Sequence, residues 1–134
     1  MNSDTPSAIV ASYRRCMRGD GFIDTFYRLF LASSDEVRIK FQFTDMVHQK
    51  LVLRESLLML ILYSENQDRS QAELIKLAER HDRNHADIAP HLYELWLDTL
   101  CIAVAQHDPE FTPQVEQLWR DAMQPGIDLM ISRY

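Results

Sequence analysis

Residues that break or crosslink a chain are scarce in this sequence, whose 134 residues include 3 glycines, 5 prolines and 2 cysteines. Few glycines and prolines leave long uninterrupted segments, which excludes collagen-like chains and low-complexity disordered chains. Two cysteines cannot form a disulfide framework, so we expect a reducing compartment and predict a cytoplasmic protein. The length predicts a single domain over residues 1–134, and 46% apolar residues suffice for its core.

Basic residues and long apolar runs are also in short supply. The 14 Lys and Arg against 20 Asp and Glu give a net charge of −6. Binding to phosphate backbones needs a basic face, so we expect no nucleic-acid partner. The uncharged segment 56–64 is far shorter than the roughly 20 apolar residues of a membrane span, so we expect no membrane association. The first residues also lack the basic start and apolar core of a signal peptide.

A series of helix signals is present instead. Pro125-Gly126 is expected to bend the last predicted helix, because proline removes a backbone donor. No alternating strand pattern occurs, so the chain is predicted to be all-α with six or seven helices. Capping residues and prolines, such as Thr5-Pro6 and Thr112-Pro113, predict helices over 5–18, from 22 onward, over 33–41, over 45–64, from a cap at Ser70 onward, over 90–107, and from 112 nearly to 134.

His81 is the most informative single residue. Leu74, Leu77, Ala78 and His81 recur at the spacing of one helical face, so the imidazole points toward the core. A histidine on an apolar face is commonly a core residue hydrogen-bonded to a carbonyl group. Imidazole is also a neutral nitrogen donor at pH 7 and a standard axial ligand of haem iron. Taken alone, this segment leaves both interpretations open.

Several segments, in order and at matching separations, resemble bacterial single-domain globins and the haem domain of flavohaemoglobins. The resemblance spans roughly residues 9–134 and implies a globin fold of six to seven helices packed around a haem pocket. It is carried by residues 25–28 (Thr-Phe-Tyr-Arg), 35–41 (Asp-Glu-Val-Arg-Ile-Lys-Phe), 77–81 (Leu-Ala-Glu-Arg-His), 90–96 (Pro-His-Leu-Tyr-Glu-Leu-Trp) and 118–120 (Leu-Trp-Arg).

Carried over position by position, the resemblance implies a binding site for haem b (iron protoporphyrin IX). His81 is then the metal ligand, Tyr27 is the distal tyrosine over the iron, and Phe41 is the corner phenylalanine that packs flat on the porphyrin. Arg83 and His85 are expected either beside the haem propionates or in solvent. The cofactor-binding residues implied are Tyr27, Phe41, Gln49, Leu53, Leu77, Arg83, His85, Ile88 and Tyr93.

Two adjacent residues compete for the second distal position. The residues one and two turns after Gln49 are both leucine, whereas those after His48 are valine and serine, which is a weaker apolar stripe. The separation from Gln49 to His81 also fits the bacterial globin layout. The pattern favours Gln49, with His48 near the pocket mouth or in solvent.

The resemblance implies a protein that reversibly binds O2 and other diatomic gases (NO and CO). A Tyr27 hydroxyl and a Gln49 amide aimed at partly charged O2 predict slow release, which suits NO detoxification or other O2 chemistry. No room is left for a flavin reductase, so we expect a separate reductase as partner, and the protein to be a monomer or homodimer. Two alternatives stay open: a gas- or redox-sensing regulatory globin, and a haem-free globin-like interaction domain.

Overall fold

Seven α-helices and no strand make up residues 6–134, the part of the chain that this computed structural model describes. Over the same range, no helix is both long enough and apolar enough to span a membrane. The all-α prediction is confirmed. The helices are α1 (Ala8–Cys16), α2 (Phe22–Ser33), α3 (Asp35–Lys40), α4 (Met46–Glu65), α5 (Gln71–His81), α6 (Pro90–His107) and α7 (Pro113–Ser132).

Side-chain caps explain where most of the helices begin. The side chains of Ser34, Asp45 and Thr112 accept backbone N–H groups in the first turns of α3, α4 and α7. Pro90 stands at the first position of α6, where its missing N–H leaves no helical bond unmade. These starts are the ones that the capping residues and prolines predict.

Two predicted helix starts differ from the structure. Ser7 caps α1 by accepting the N–H of Val10, so the helix begins later than predicted, and Thr5 lies outside the described residues. Ser70 occupies the N-cap position of α5 without a side-chain cap hydrogen bond. Its backbone is left-handed, with φ of 64°, so it acts as a turn residue and not as a cap.

Helix α7 is the central support of the fold, because it packs against α1, α4, α5 and α6. It runs through Pro125 as one helix. At Gly126 it approaches α4 so closely that a Cβ atom would lie 2.1 Å from Cδ2 of Leu60. Only glycine therefore allows this distance between the two helices without a shift of Leu60.

A buried polar group, here called the Asp108 cluster, lies at the junction of α1, α6 and α7. Asp108 accepts hydrogen bonds from Nε of Arg15 at 2.6 Å, from Oγ of Ser12 at 2.6 Å and from the N–H of Glu110 at 2.8 Å. Oγ of Ser12 accepts in turn from Nε1 of Trp119 at 2.8 Å. Burial raises the pKa of the Asp108 carboxyl, but these hydrogen bonds outweigh burial and hold the pKa below 3.8.

Candidate functional site

An apolar cavity lies between α2, α4, α5 and α6, with α3 at its mouth and the end of α7 closing it. The empty space between its walls is about 840 Å³, counted out to the solvent at the mouth, whereas the centres of water molecules can occupy about 120 Å³ of it. Much of this space therefore lies within a water radius of a wall, so the cavity, here called the slot, is narrow.

His81 is the last residue of α5 and lies on the cavity wall. Its Nδ1 lies 2.7 Å from the carbonyl oxygen of Leu77, one turn earlier. A carbonyl oxygen only accepts, so Nδ1 carries the proton and Nε2 keeps its lone pair. The side-chain hydrogen bond of His81 within residues 6–134 is made through Nδ1 and not through Nε2.

The pKa of His81 lies below its ordinary value of 6.5. Burial is the main cause; the Leu77 carbonyl opposes it, and the charge of Arg80 adds to it. The imidazole is consequently neutral at pH 7, which is the form that coordinates a metal.

The turn of residues 82–89 fixes the position of His81 at the end of its helix. Asp82 adopts an extended backbone, which stops α5. Asp87 adopts a left-handed conformation with φ of 53°, and the N–H of Ile88 returns to donate to the carbonyl oxygen of His81 at 2.9 Å. The chain thereby folds back beside His81 before α6 begins.

Tyr27 on α2 and Gln49 on α4 meet on the cavity wall. Nε2 of Gln49 donates to the hydroxyl oxygen of Tyr27 at 3.0 Å. Burial raises the pKa of Tyr27 to about 12, against the opposing effect of the Gln49 hydrogen bond, so the phenol stays neutral. Because its oxygen accepts from Gln49, its own proton is left to donate, and no residue in 6–134 accepts that proton.

Aromatic side chains build the wall beside this pair. The ring of Phe41 packs edge-on against Tyr27, with centroids 5.8 Å apart, and against Phe30 at 6.1 Å. Phe26 lies behind them and contacts Trp96 at 5.9 Å, also edge-on. This cluster of aromatic rings holds Tyr27 in place and lines the slot with flat apolar surface.

The donor set decides which kind of group fits this cavity. No group of three or more His, Cys, Asp or Glu side chains that could hold a metal ion occurs within residues 6–134. A single imidazole does not hold a bare ion, whereas an iron porphyrin brings four nitrogen ligands and needs only axial ones. A narrow apolar slot with one neutral imidazole therefore fits haem.

Comparisons with known proteins agree with this geometry. Residues 24–127 match the Globin family model. The chain belongs to the globin family. This globin is also 44% identical to a protein of Pseudomonas aeruginosa PAO1. The crystal structure of that protein is described as structurally highly homologous to a human hemoglobin. The match has a TM-score of 0.90 and covers 94% of this chain and 95% of that one. No curated protein matches at a significant level.

Family membership confirms the predicted globin fold and implies that this globin binds haem. Of the predicted site residues, all but Arg83 and His85 lie on the cavity wall. Gln49 is among them, whereas His48 is exposed and away from the wall.

Arg83 and His85 are not brought to the cavity of this globin. Nδ1 of His85 lies 2.8 Å from Oδ1 of Asp82, and the His85 side chain is 62% exposed. The guanidinium of Arg83 lies 4.8 Å from the centroid of the Tyr134 ring and donates to the Tyr134 carbonyl oxygen at 3.3 Å. The physical reason is that α5 ends at His81, and the side chains of Arg83 and His85 are exposed on the turn that follows.

Lys40 is the charged residue of the cavity wall that the sequence analysis of this globin did not predict. Its Nζ donates to the carbonyl oxygens of Ala86 at 3.0 Å and Asp87 at 2.8 Å, which links α3 to the 82–89 turn. The only sequence signal is its place directly before Phe41, and a lysine ending a short helix usually lies in solvent. Ser56 and six apolar wall residues were also missed, the latter being Phe30, Val37, Val52, Leu60, Ile127 and Met130.

Proposed function

We propose that this globin binds haem b (iron protoporphyrin IX) through Nε2 of His81 and reversibly binds O2, NO and CO beneath Tyr27 and Gln49. One observation carries the proposal: a neutral imidazole with an open Nε2 and a hydrogen-bonded phenol–amide pair line the same narrow apolar slot. When bound, haem b would supply the iron that binds the gas, and Nε2 of His81 would hold that iron.

His81 contributes more than a lone pair. Donation from its Nδ1 to the Leu77 carbonyl oxygen fixes the ring orientation and makes Nε2 a better electron donor. Burial keeps the imidazole neutral, so coordination does not compete with a proton at pH 7.

Tyr27 and Gln49 select among gases. The hydroxyl proton of Tyr27 is free to donate, and Gln49 holds the phenol in one orientation. Bound O2 carries partial negative charge, and a hydrogen bond to a charged group contributes about 1.5–3 kcal/mol. CO stays nearly neutral and gains little, so the pair favours O2 and slows its release.

Slow O2 release suits the removal of NO better than O2 transport. In that reaction one NO, one O2 and one electron give one nitrate ion. We propose that a separate reductase supplies this electron, and we propose the cytoplasm as the compartment. The apolar walls support this role, because they keep bulk water from Tyr27 and Gln49.

Absorption spectra of the ferric, ferrous and ferrous-CO protein test the haem site. The wild type should show a Soret band that His81→Ala loses or reshapes. His85→Ala is the matched control, since it removes an exposed imidazole four residues away, and its spectra should equal those of the wild type. A colourless wild type after haem reconstitution, or an unchanged spectrum in His81→Ala, contradicts the proposal.

The NO reaction needs its own measurement. Protein reduced by an external donor and loaded with O2 should consume NO and form nitrate in equal amounts. Consumption no faster than that of NO and O2 in buffer contradicts the NO role and leaves the gas-binding proposal standing.

A further inference from the structure

Lys40 is the one side chain on the cavity wall, within residues 6–134, that is charged at neutral pH. The other wall residues are apolar, aromatic or neutral polar groups, and His81 is held neutral by burial. Lys40 ends α3 at an exposed position by the mouth. The cavity therefore has an apolar interior and a single positive charge at its entrance.

The hydrogen bonds of Lys40 are incomplete. An ammonium group has three N–H donors. Two of them reach the carbonyl oxygens of Ala86 and Asp87. Among residues 6–134, no carboxylate lies within ion-pair distance of Nζ. One N–H and the whole positive charge thus remain for an anion at the mouth.

We propose that Lys40 is the anion-binding residue of the cavity and that its third N–H pairs with a carboxylate of the bound cofactor. The inference rests on the proposed function, because haem b is an apolar ring that carries two propionate carboxylates on one edge. Burying a carboxylate without a partner is strongly unfavourable, so that edge stays at the mouth. Lys40 then fills the role that the resemblance left open for Arg83 and His85.

The same two carbonyl bonds give Lys40 a fixed direction. A lysine on a surface is mobile, and ordering it opposes binding. Here the Ala86 and Asp87 carbonyls hold Nζ beside the slot, so much of that ordering is complete before the carboxylate arrives. Lys40 thereby also selects the orientation in which the ring enters.

The rate of haem transfer to excess apomyoglobin, followed in the Soret band, tests the inference. Lys40→Met should lose haem about three- to fivefold faster than the wild type, because an exposed ion pair contributes up to about 1 kcal/mol, which is about a fivefold change. Lys40→Arg keeps the charge and should recover most of the loss. Arg83→Gln is the matched control and should stay within about twofold of the wild type, because Arg83 does not reach the cavity. An unchanged rate in Lys40→Met overturns the inference.

Haem b dimethyl ester, in which both carboxylates are methylated, separates carboxylate binding from support of the 82–89 turn. The wild type and Lys40→Met should lose this ester at the same rate. If Lys40→Met speeds the loss of the ester as much as it speeds the loss of haem, Lys40 acts only through the 82–89 turn. That result overturns the inference. A wild type that forms no Soret band with haem contradicts the proposed function itself, so the two failures are distinguishable.

Discussion

The cavity and the Asp108 cluster both contain polar groups in apolar surroundings, yet they complete their hydrogen bonds differently. In the cluster, Asp108 accepts from Ser12, Arg15 and Glu110, and Ser12 also accepts from Trp119. In the cavity, Nε2 of His81 and the hydroxyl proton of Tyr27 have no partner within residues 6–134. Polar groups left open toward an apolar space are costly unless something binds them. The comparison therefore supports the proposal that the cavity binds a ligand, whereas the cluster is structural.

Breaking the cluster should have the largest effect on stability. Asp108→Ala leaves Arg15 without its main partner, and the carboxylate is fully buried while the Arg15 side chain is only 13% exposed. We expect the free energy of unfolding in urea to fall by about 3 kcal/mol, as for loss of one member of a buried pair. Asp98→Ala is the control, since Asp98 is 51% exposed in its pair with Arg120; it should cost less than about 1 kcal/mol. If Asp108→Ala and Asp98→Ala lowered the free energy of unfolding equally, the buried Asp108 cluster would be no more important for stability than an exposed ion pair.

Removing an open group of the cavity should change gas binding and leave folding nearly intact. Tyr27→Phe deletes the free hydroxyl proton and keeps the ring, so we expect O2 to dissociate at least about tenfold faster, since about 1.4 kcal/mol is tenfold. CO release, measured by stopped flow in the same sample, should change little. His48→Leu removes the neighbouring exposed side chain and should alter neither rate. Faster CO release to the same extent would show that Tyr27 acts by shape alone.

The close approach of α7 to α4 should be sensitive to one methyl group. Gly126→Ala places a Cβ against Cδ2 of Leu60, which also lines the cavity and can move into it. We expect a loss of about 1 kcal/mol in the free energy of unfolding, at the low end for overpacking. Gly19→Ala is the control, because no atom lies within 4 Å of its added Cβ. A stability loss in Gly19→Ala as large as in Gly126→Ala would contradict this account.

Acid should affect the two regions in different pH ranges. The pKa of His81 is lower folded than its ordinary 6.5, so the unfolded chain binds more protons and haem-free stability falls as pH drops below 6.5. The pKa of Asp108 is lower folded than 3.8, so the stability that it contributes is present above 3.8 and is lost as pH falls further. The free energy of unfolding in urea should be measured across pH. His81→Gln should reduce its pH dependence below 6.5, and Asp108→Asn should reduce its pH dependence below 3.8. If either substitution changed the pH dependence of stability only in the range expected for the other, the assignment of that residue would be contradicted.

The sequence predicted most of the fold because local signals set the helix ends. The interval 90–107 is reproduced as α6, since proline opens it and Asp108-Pro109 follows it. Helical spacing likewise placed Leu77 and His81 on the cavity side. Such residues owe their position to one helix and its period, which a sequence shows directly.

The remaining features depend on contacts between distant segments. Ser12 and Asp108 lie 96 positions apart in the chain, so no local pattern connects them. Lys40 reaches the mouth only because α3 lies beside the 82–89 turn. For Arg83 and His85 the sequence left open a place beside the propionates or in solvent, because the course of that turn is not periodic; both side chains are exposed. Sequence patterns thus predict which helix face is buried, but not which charged side chain reaches the rim.

The two regions also differ in an optical property. The chain has 2 tryptophans; Trp96 lies on the cavity wall and Trp119 in the Asp108 cluster. With Trp119 replaced by phenylalanine, the emission of the remaining indole reports on the slot, and with Trp96 replaced, it reports on the junction of α1, α6 and α7. The protein thus contains one tryptophan in each region, Trp96 at the cavity and Trp119 in the Asp108 cluster, so the two regions can be followed separately by fluorescence.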